Sequence, residues 1–191
     1  MAWRAPALGR MRACALALAL LSGACASAAR ADANSLEFSV KATFLYKFGP
    51  FVEWPPQAFE SPASPFVLCV QGDDPFGASL DRAVAGQHVG QHPVVVRRLA
   101  KVEKGCHVLY AAGSKTQSVA QALAAVRGAP VLTVTDETSG DGSRGVIDFV
   151  VQDNRVRFQI DAQAAAQNGL SVSSKLLSLA INVRPAAEAG S

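Results

Sequence analysis

From Leu36 the apolar positions Leu36, Val40, Phe44 and Phe48 recur every four residues, with Lys41 and Lys47 between them. That spacing predicts an amphipathic helix. Gly49-Pro50 ends or kinks it, because a proline there removes one hydrogen bond and its ring clashes with the carbonyl of Tyr46. Phe51, Val52 and Trp54 follow, closed by Pro55-Pro56. Short apolar runs bounded by turn residues at 66–70, 94–96, 108–111 and 131–134 predict strands, the last two continuous enough to be buried on both faces. Helical patterns at 76–85 and 116–126 lie between them. Strand alternating with helix predicts an α/β domain with a mostly parallel sheet.

The pattern then changes. Residues 146–151 and 155–160 predict two strands around an Asp153-Asn154 hairpin turn. A helix at 162–168 stops at Gly169, and a last one runs from about 174 to 180 with Leu176, Leu177 and Ala180 on one side. The Pro/Ala-rich tail, 184–191, is expected to fray. No repeat or linker interrupts the chain. The expected architecture is a single three-layer α/β/α domain over 32–183, with a mostly parallel sheet and a late β-hairpin.

Half of the 191 residues are apolar and 17% are charged, which excludes a disordered polyelectrolyte. The formal charge of +3 owes everything to the first 31 residues, whose four arginines (Arg4, Arg10, Arg12, Arg30) face no acid; removing them leaves −1. A nucleic-acid partner is therefore not expected, since a binder's basic footprint must survive processing. The same 31 residues have the layout of a secretory signal peptide: a basic start, the apolar run 13–21, then small residues up to Ala31, the favoured cleavage point. A lipoprotein anchor at Cys25 is the rival, weakened by Ser22 in place of the usual large aliphatic. The expectation is an exported, soluble protein of about 160 residues.

Export removes Cys14 and Cys25 and leaves Cys69 and Cys106. Two cysteines in an oxidising compartment are expected to pair, closing a loop worth about 4 kcal/mol in the chain-entropy model. Two buried free thiols are the alternative. A cysteine metal site fits poorly, for there is no C-x-x-C spacing.

No chemistry-bearing motif survives its own context. Gly72–Gly77 lies where α/β proteins bind ligands, but Asp73 and Asp74 repel a phosphate; Asp74 reads as a helix N-cap with Pro75 at the first helical position. A divalent cation would need more oxygens than that pair supplies. Gly140–Gly145 matches G-x-G-x-x-G but runs into a strand, not a helix. His88 and His92 lack the glutamate of a zincin, and with His107 they read as solvated loop residues. Ser173 reads as a helix N-cap, because Val172 stands where an S-x-x-K serine would be needed. No catalytic residue, metal or cofactor is expected.

Three segments together resemble the YfiR family of periplasmic regulators. They are KATFLYKF (41–48) continuing to FVEWP (51–55), the strand and turn from Leu68 to Gly77, and Val156–Ile160 followed by GLSVSSKLL (169–177). The likeness runs from about Leu36 to Ala180. It implies a periplasmic, non-enzymatic α/β protein, often a homodimer. Such proteins hold the periplasmic sensor part of an inner-membrane diguanylate cyclase inactive. Release is linked to an outer-membrane lipoprotein or to redox state. Cys69 and Cys106 match the family's strand-linking disulfide. The second, later cysteine pair of some relatives is missing, which puts redox switching through it in doubt. Gly49-Pro50 departs from the usual continuous helix, and the loop 136–144 is divergent.

The leading expectation is thus a periplasmic repressor that acts by contact with a membrane cyclase or sensor kinase and lowers cyclic di-GMP. Phe44, Phe48, Phe51 and Trp54 supply aromatic surface, with core packing as the competing role. Phe51 and above all Trp54 are the expected partner contacts, since tryptophan is enriched at interface hot spots. The alternative is a periplasmic small-ligand sensor using a crevice at Asp73 and Asp74.

Overall fold

The structure, a computed structural model, describes residues 35–137 and 142–186. The signal segment 1–31, Gly140 and Asp141 of the glycine-rich loop, and the end of the tail lie outside them. A first helix, α1 (35–47), leads through a 3₁₀ turn at Gly49–Phe51 to a short strand, β1 (Val52–Glu53). Then come β2 (Phe66–Gly72), α2 (Ala78–Val84), β3 (His88–Val89), β4 (His92–Leu99), β5 (Val108–Gly113), α3 (Val119–Ala125) and β6 (Leu132–Asp136). The chain continues with β7 (Ile147–Gln152), β8 (Arg155–Asp161), α4 (Ala162–Gln167), β9 (Ser171–Val172), α5 (Ser174–Leu177) and β10 (Asn182–Arg184).

Eight strands form one sheet in the order β10-β8-β7-β6-β5-β2-β4-β3. The inner five, β4-β2-β5-β6-β7, are mutually parallel, and β7 meets β8 antiparallel across the expected hairpin. Asp153 and Asn154 adopt the left-handed backbone (φ 51° and 56°) that this two-residue turn requires. The α/β class and the mostly parallel sheet are as the alternation implied. Arg184, expected in the tail, instead joins β10, which pairs in parallel with β8.

Alternation along the strands makes two cores. On one face Phe66, Leu68, Val70, Val108, Tyr110, Leu132, Val134, Ile147 and Phe149 pack under α1, α2 and α5. On the other, Cys69, Leu109 and Val131 form one cluster, and Ala111 packs with Val119 and Ala122 of α3 in a second. The α3 helix starts from a full capping box: Ser118 accepts from the Gln121 N–H while Gln121 accepts from the Ser118 N–H.

Two helix starts differ from expectation. Asp74 is not the N-cap of α2, and Pro75 is not helical; the cap position is Gly77, and α2 begins at Ala78. Asp74 caps a tighter turn instead, accepting from the N–H groups of Phe76 and Gly77. In α1 the buried face is Lys41, Ala42, Leu45 and Phe48, so Val40 of the expected stripe is left 37% exposed. Gly49 ends this face because α1 meets β3 there: a Cβ would lie 2.7 Å from a Val89 methyl.

Cys69 of β2 and Cys106, just before β5, are joined by a disulfide with Cα atoms 5.8 Å apart and a sequence separation of 37. Replacing both by alanine is expected to lower unfolding stability by up to ~4 kcal/mol, the value of that loop closure. Urea unfolding of the double variant beside oxidised wild type measures it. A difference below ~1 kcal/mol would show that the bond contributes little to folding.

Candidate functional site

The two segments that carry the family resemblance at opposite ends of the chain meet in space. Gly49-Pro50 breaks α1 and turns Val52 and Glu53 alongside β9, antiparallel, with Val52 opposite Val172 and Glu53 opposite Ser171. The Ser173 N–H donates to the Phe51 carbonyl at 2.9 Å. Ser173 then caps α5 as expected, its hydroxyl accepting from the Leu176 N–H at 3.3 Å. The Lys175 ammonium stands 5.6 Å from the centre of the Phe51 ring, within cation–π range. Val52 and Leu176 are buried beneath this pair, while Glu53, Ser171 and Lys175 are exposed.

Both expected partner contacts are half-buried. Trp54 meets Phe66 edge-on, ring centres 5.2 Å apart, and its buried Nε1–H has no hydrogen-bond partner among the described residues. An indole N–H so placed costs about 1–3 kcal/mol. Phe48, by contrast, belongs to the core, and Phe44 is half-buried against it. They stack on each other at 5.8 Å and pack against Phe158 of β8 at 5.9 and 5.3 Å.

At the strand end before Asp73 and Asp74 the backbones of β2 and β5 pack closely. Gly72 (φ 90°) touches β5 so closely that a Cβ would lie 2.0 Å from the Gly113 carbonyl oxygen, and the Asp73 N–H donates to that oxygen at 2.9 Å. Gln71 is buried beside it, its side chain bonded to the Gly113 N–H and the Gln117 carbonyl. Asp74 pairs with Arg98 at 2.7 Å, and Arg98 also pairs with Asp81 at 2.9 Å. That guanidinium holds the Asp81 carboxyl below its ordinary range. Asp73 is exposed. Among the described residues no group of three or more His, Cys, Asp or Glu could hold a metal ion.

Several polar groups escaped the sequence reading. Lys41 is fully buried, with its ammonium on both Glu37 and Asp136, the latter buried at the end of β6. The rings of Phe38 and Phe149 flank it at 5.0 and 6.0 Å. The signal was available: 41, 45 and 48 form a helical register as good as 40, 44 and 48. A lysine heading that register reads as a polar position only until its acidic partners, one of them 95 positions later, are known. On the opposite face Asp148 is buried and accepts from the Thr135 hydroxyl at 2.6 Å. Burial pushes its carboxyl up, against the pull of that hydroxyl and of Arg144. His107 is a further miss. It is a buried, doubly hydrogen-bonded ring and not a solvated loop residue, and His92 likewise begins β4 half-buried.

The profile of the YfiR/HmsC-like family matches residues 38–181, a span that includes both halves of the β1–β9 patch. The chain belongs to that family. Among curated proteins none matches the chain. YfiR/HmsC-like proteins are periplasmic regulators of diguanylate cyclase signalling, and in this member the described residues contain no helix long and apolar enough to cross a membrane.

Replacing Lys41 with methionine would leave Asp136 a buried carboxylate without its ammonium partner. The expected loss is ~3–5 kcal/mol in chemical denaturation. Replacing Asp136 with leucine as well is expected to recover part of it, because a buried pair removed whole costs less than one broken. Full stability in the single variant would refute the pairing.

Proposed function

We propose that this protein is exported to the periplasm, where it represses an inner-membrane diguanylate cyclase by binding the cyclase's periplasmic sensor part. The family match over residues 38–181 carries the reading. It is supported by the way the two resemblance-bearing segments assemble one patch, with the half-buried Phe51 and Trp54 as partner contacts beside Glu53 and Lys175. Half-buried aromatic rings on a fixed backbone suit an interface, since little conformational freedom is lost when they are covered.

A periplasmic protein reaches a cytoplasmic messenger pool only through a partner that spans the membrane, by binding one of its conformations better than the other. A tenfold shift in the active-to-inactive ratio needs only about 1.4 kcal/mol of differential binding. At Asp73 and Asp74 the close backbone packing and the Asp74–Arg98 pair offer no comparable support for a small-ligand sensor.

Deleting the gene is expected to raise cyclic di-GMP and surface attachment, and expression of the full chain to restore the low level. A chain lacking residues 1–31 is expected to fail. Trp54→Ala and Phe51→Ala chains present at normal periplasmic level are expected to restore it only in part. Unchanged cyclic di-GMP on deletion, together with tight binding of a defined small molecule to the purified protein, would replace this reading with the sensor.

A further inference from the structure

The stretch from Trp54 to Ser64 is held down by two histidines. The Phe59 ring lies between the imidazoles of His92 and His107, centres 4.0 and 4.4 Å away and planes within 13° and 19° of parallel. On its far side His107 stacks on Phe66, against which Trp54 packs edge-on. The two histidines also bind the backbone of the stretch, His107 at the Ala58 carbonyl (3.0 Å) and His92 at the Ser64 carbonyl (2.7 Å).

These bonds define the protonation state of each ring. His107 Nδ1 accepts the Val67 N–H at 3.0 Å, so its single proton must sit on Nε2, where it donates to Ala58. The neutral imidazole uses its one acceptor and its one donor. A second proton would turn Nδ1 into a donor facing another donor and break the bond to β2. His92 donates from Nδ1 to Ser64, a bond that protonation leaves intact. His92 on β4 is the ionisable group that faces His107 among the described residues. What meets His107 from the 56–58 turn, from Phe59 and from β2 is backbone or apolar ring.

We propose that His107 is an acid-sensitive latch: neutral, it locks the segment 54–64 onto the sheet, and on taking a proton it lets that segment go. Burial and the neighbouring His92 both push its proton affinity below that of an ordinary histidine, as a site built for the neutral ring should. The bond to the Ala58 carbonyl and the flanking phenyl faces favour a cation and oppose this, but neither replaces the lost Val67 bond. The sign follows. The folded form prefers the neutral ring, so the latch is complete above the ordinary histidine value of about 6.5 and is lost as pH falls from there through the folded value. The consequence for signalling rests on Trp54 being a partner contact; the latch itself does not.

The test is a histidine-ring and amide NMR titration of the full chain from about pH 7.5 to 5, with hydrogen exchange corrected for its intrinsic pH dependence. His107 is expected to titrate below the ordinary histidine value of about 6.5. Protection of the Val67 amide and of residues 54–64 should fall by up to about tenfold per pH unit between the ordinary histidine value and the His107 midpoint and level off below it, while β6 stays protected. In His107→Gln, whose amide can still accept and donate, that fall is expected to vanish; in His92→Gln it should persist with a raised midpoint. A His107 that titrates at or above that value, or a segment equally protected throughout, overturns the latch even if no variant folds. A latch that opens while repression stays insensitive to acid would instead overturn Trp54 as the partner contact.

Discussion

Taking an ammonium group out of water without a partner costs several kcal/mol, so Lys41 can lie in the core only where carboxylates meet it. Glu37 one turn earlier supplies one, and Asp136 at the end of β6 supplies the other. This requirement selects among the ways in which α1 could lie on the sheet. A helix rotated to bury Val40 in place of Lys41 would take the ammonium away from Asp136. The seating that satisfies both charges puts Leu45 and Phe48 over Phe149 and Phe158, and brings Gly49 against Val89.

That seating decides where the chain goes next. Because α1 stops against β3, the Gly49–Phe51 turn delivers Val52 and Glu53 to β9, and the polypeptide closes on itself some 120 residues apart in sequence. The patch so made is small, two residues from each strand, and depends on the buried Val52 and Leu176 beneath it. Its aromatic residues sit above the fold's most order-demanding contacts: Trp54 on Phe66, and Phe66 on the His107 ring.

The two faces of the sheet divide the work. Aromatic rings and the buried ion pair fill the face under α1. The other face carries the disulfide beneath Val126 and Val131, and a polar seam in which the hydroxyls of Thr133 and Thr135 accept the N–H groups of Val146 and Gly145. That seam lets β7 begin tight against β6: a Cβ on Gly145 would lie 2.7 Å from the Thr133 carbonyl oxygen. Cys106 and His107 are neighbours in sequence with opposite tasks, one bonding covalently to β2 and the other clasping the Val67 N–H of the same strand through its ring.

Local patterns in the chain were enough for the α/β alternation, the hairpin at Asp153-Asn154, the breaks at Gly49-Pro50 and Gly169, the cap at Ser173 and the family itself. Each of these is decided within a few residues, by backbone conformations and hydrogen bonds that near neighbours impose. The charge of the first 31 residues and the pairing of Cys69 with Cys106 were legible from counting alone, four arginines against no acid and two cysteines left to pair. What the sequence left undecided involves partners far along the chain. Lys41 looks solvent-facing until Asp136 is beside it, and His107 looks like a loop histidine until Phe59, Ala58 and Val67 surround it. The short strands β1, β9 and β10 have no pattern of their own, since two or three residues cannot show a period. Tertiary structure alone made them strands, because a buried charge, a ring without water and an unpaired backbone group each cost more than the chain can bear until a distant segment satisfies them.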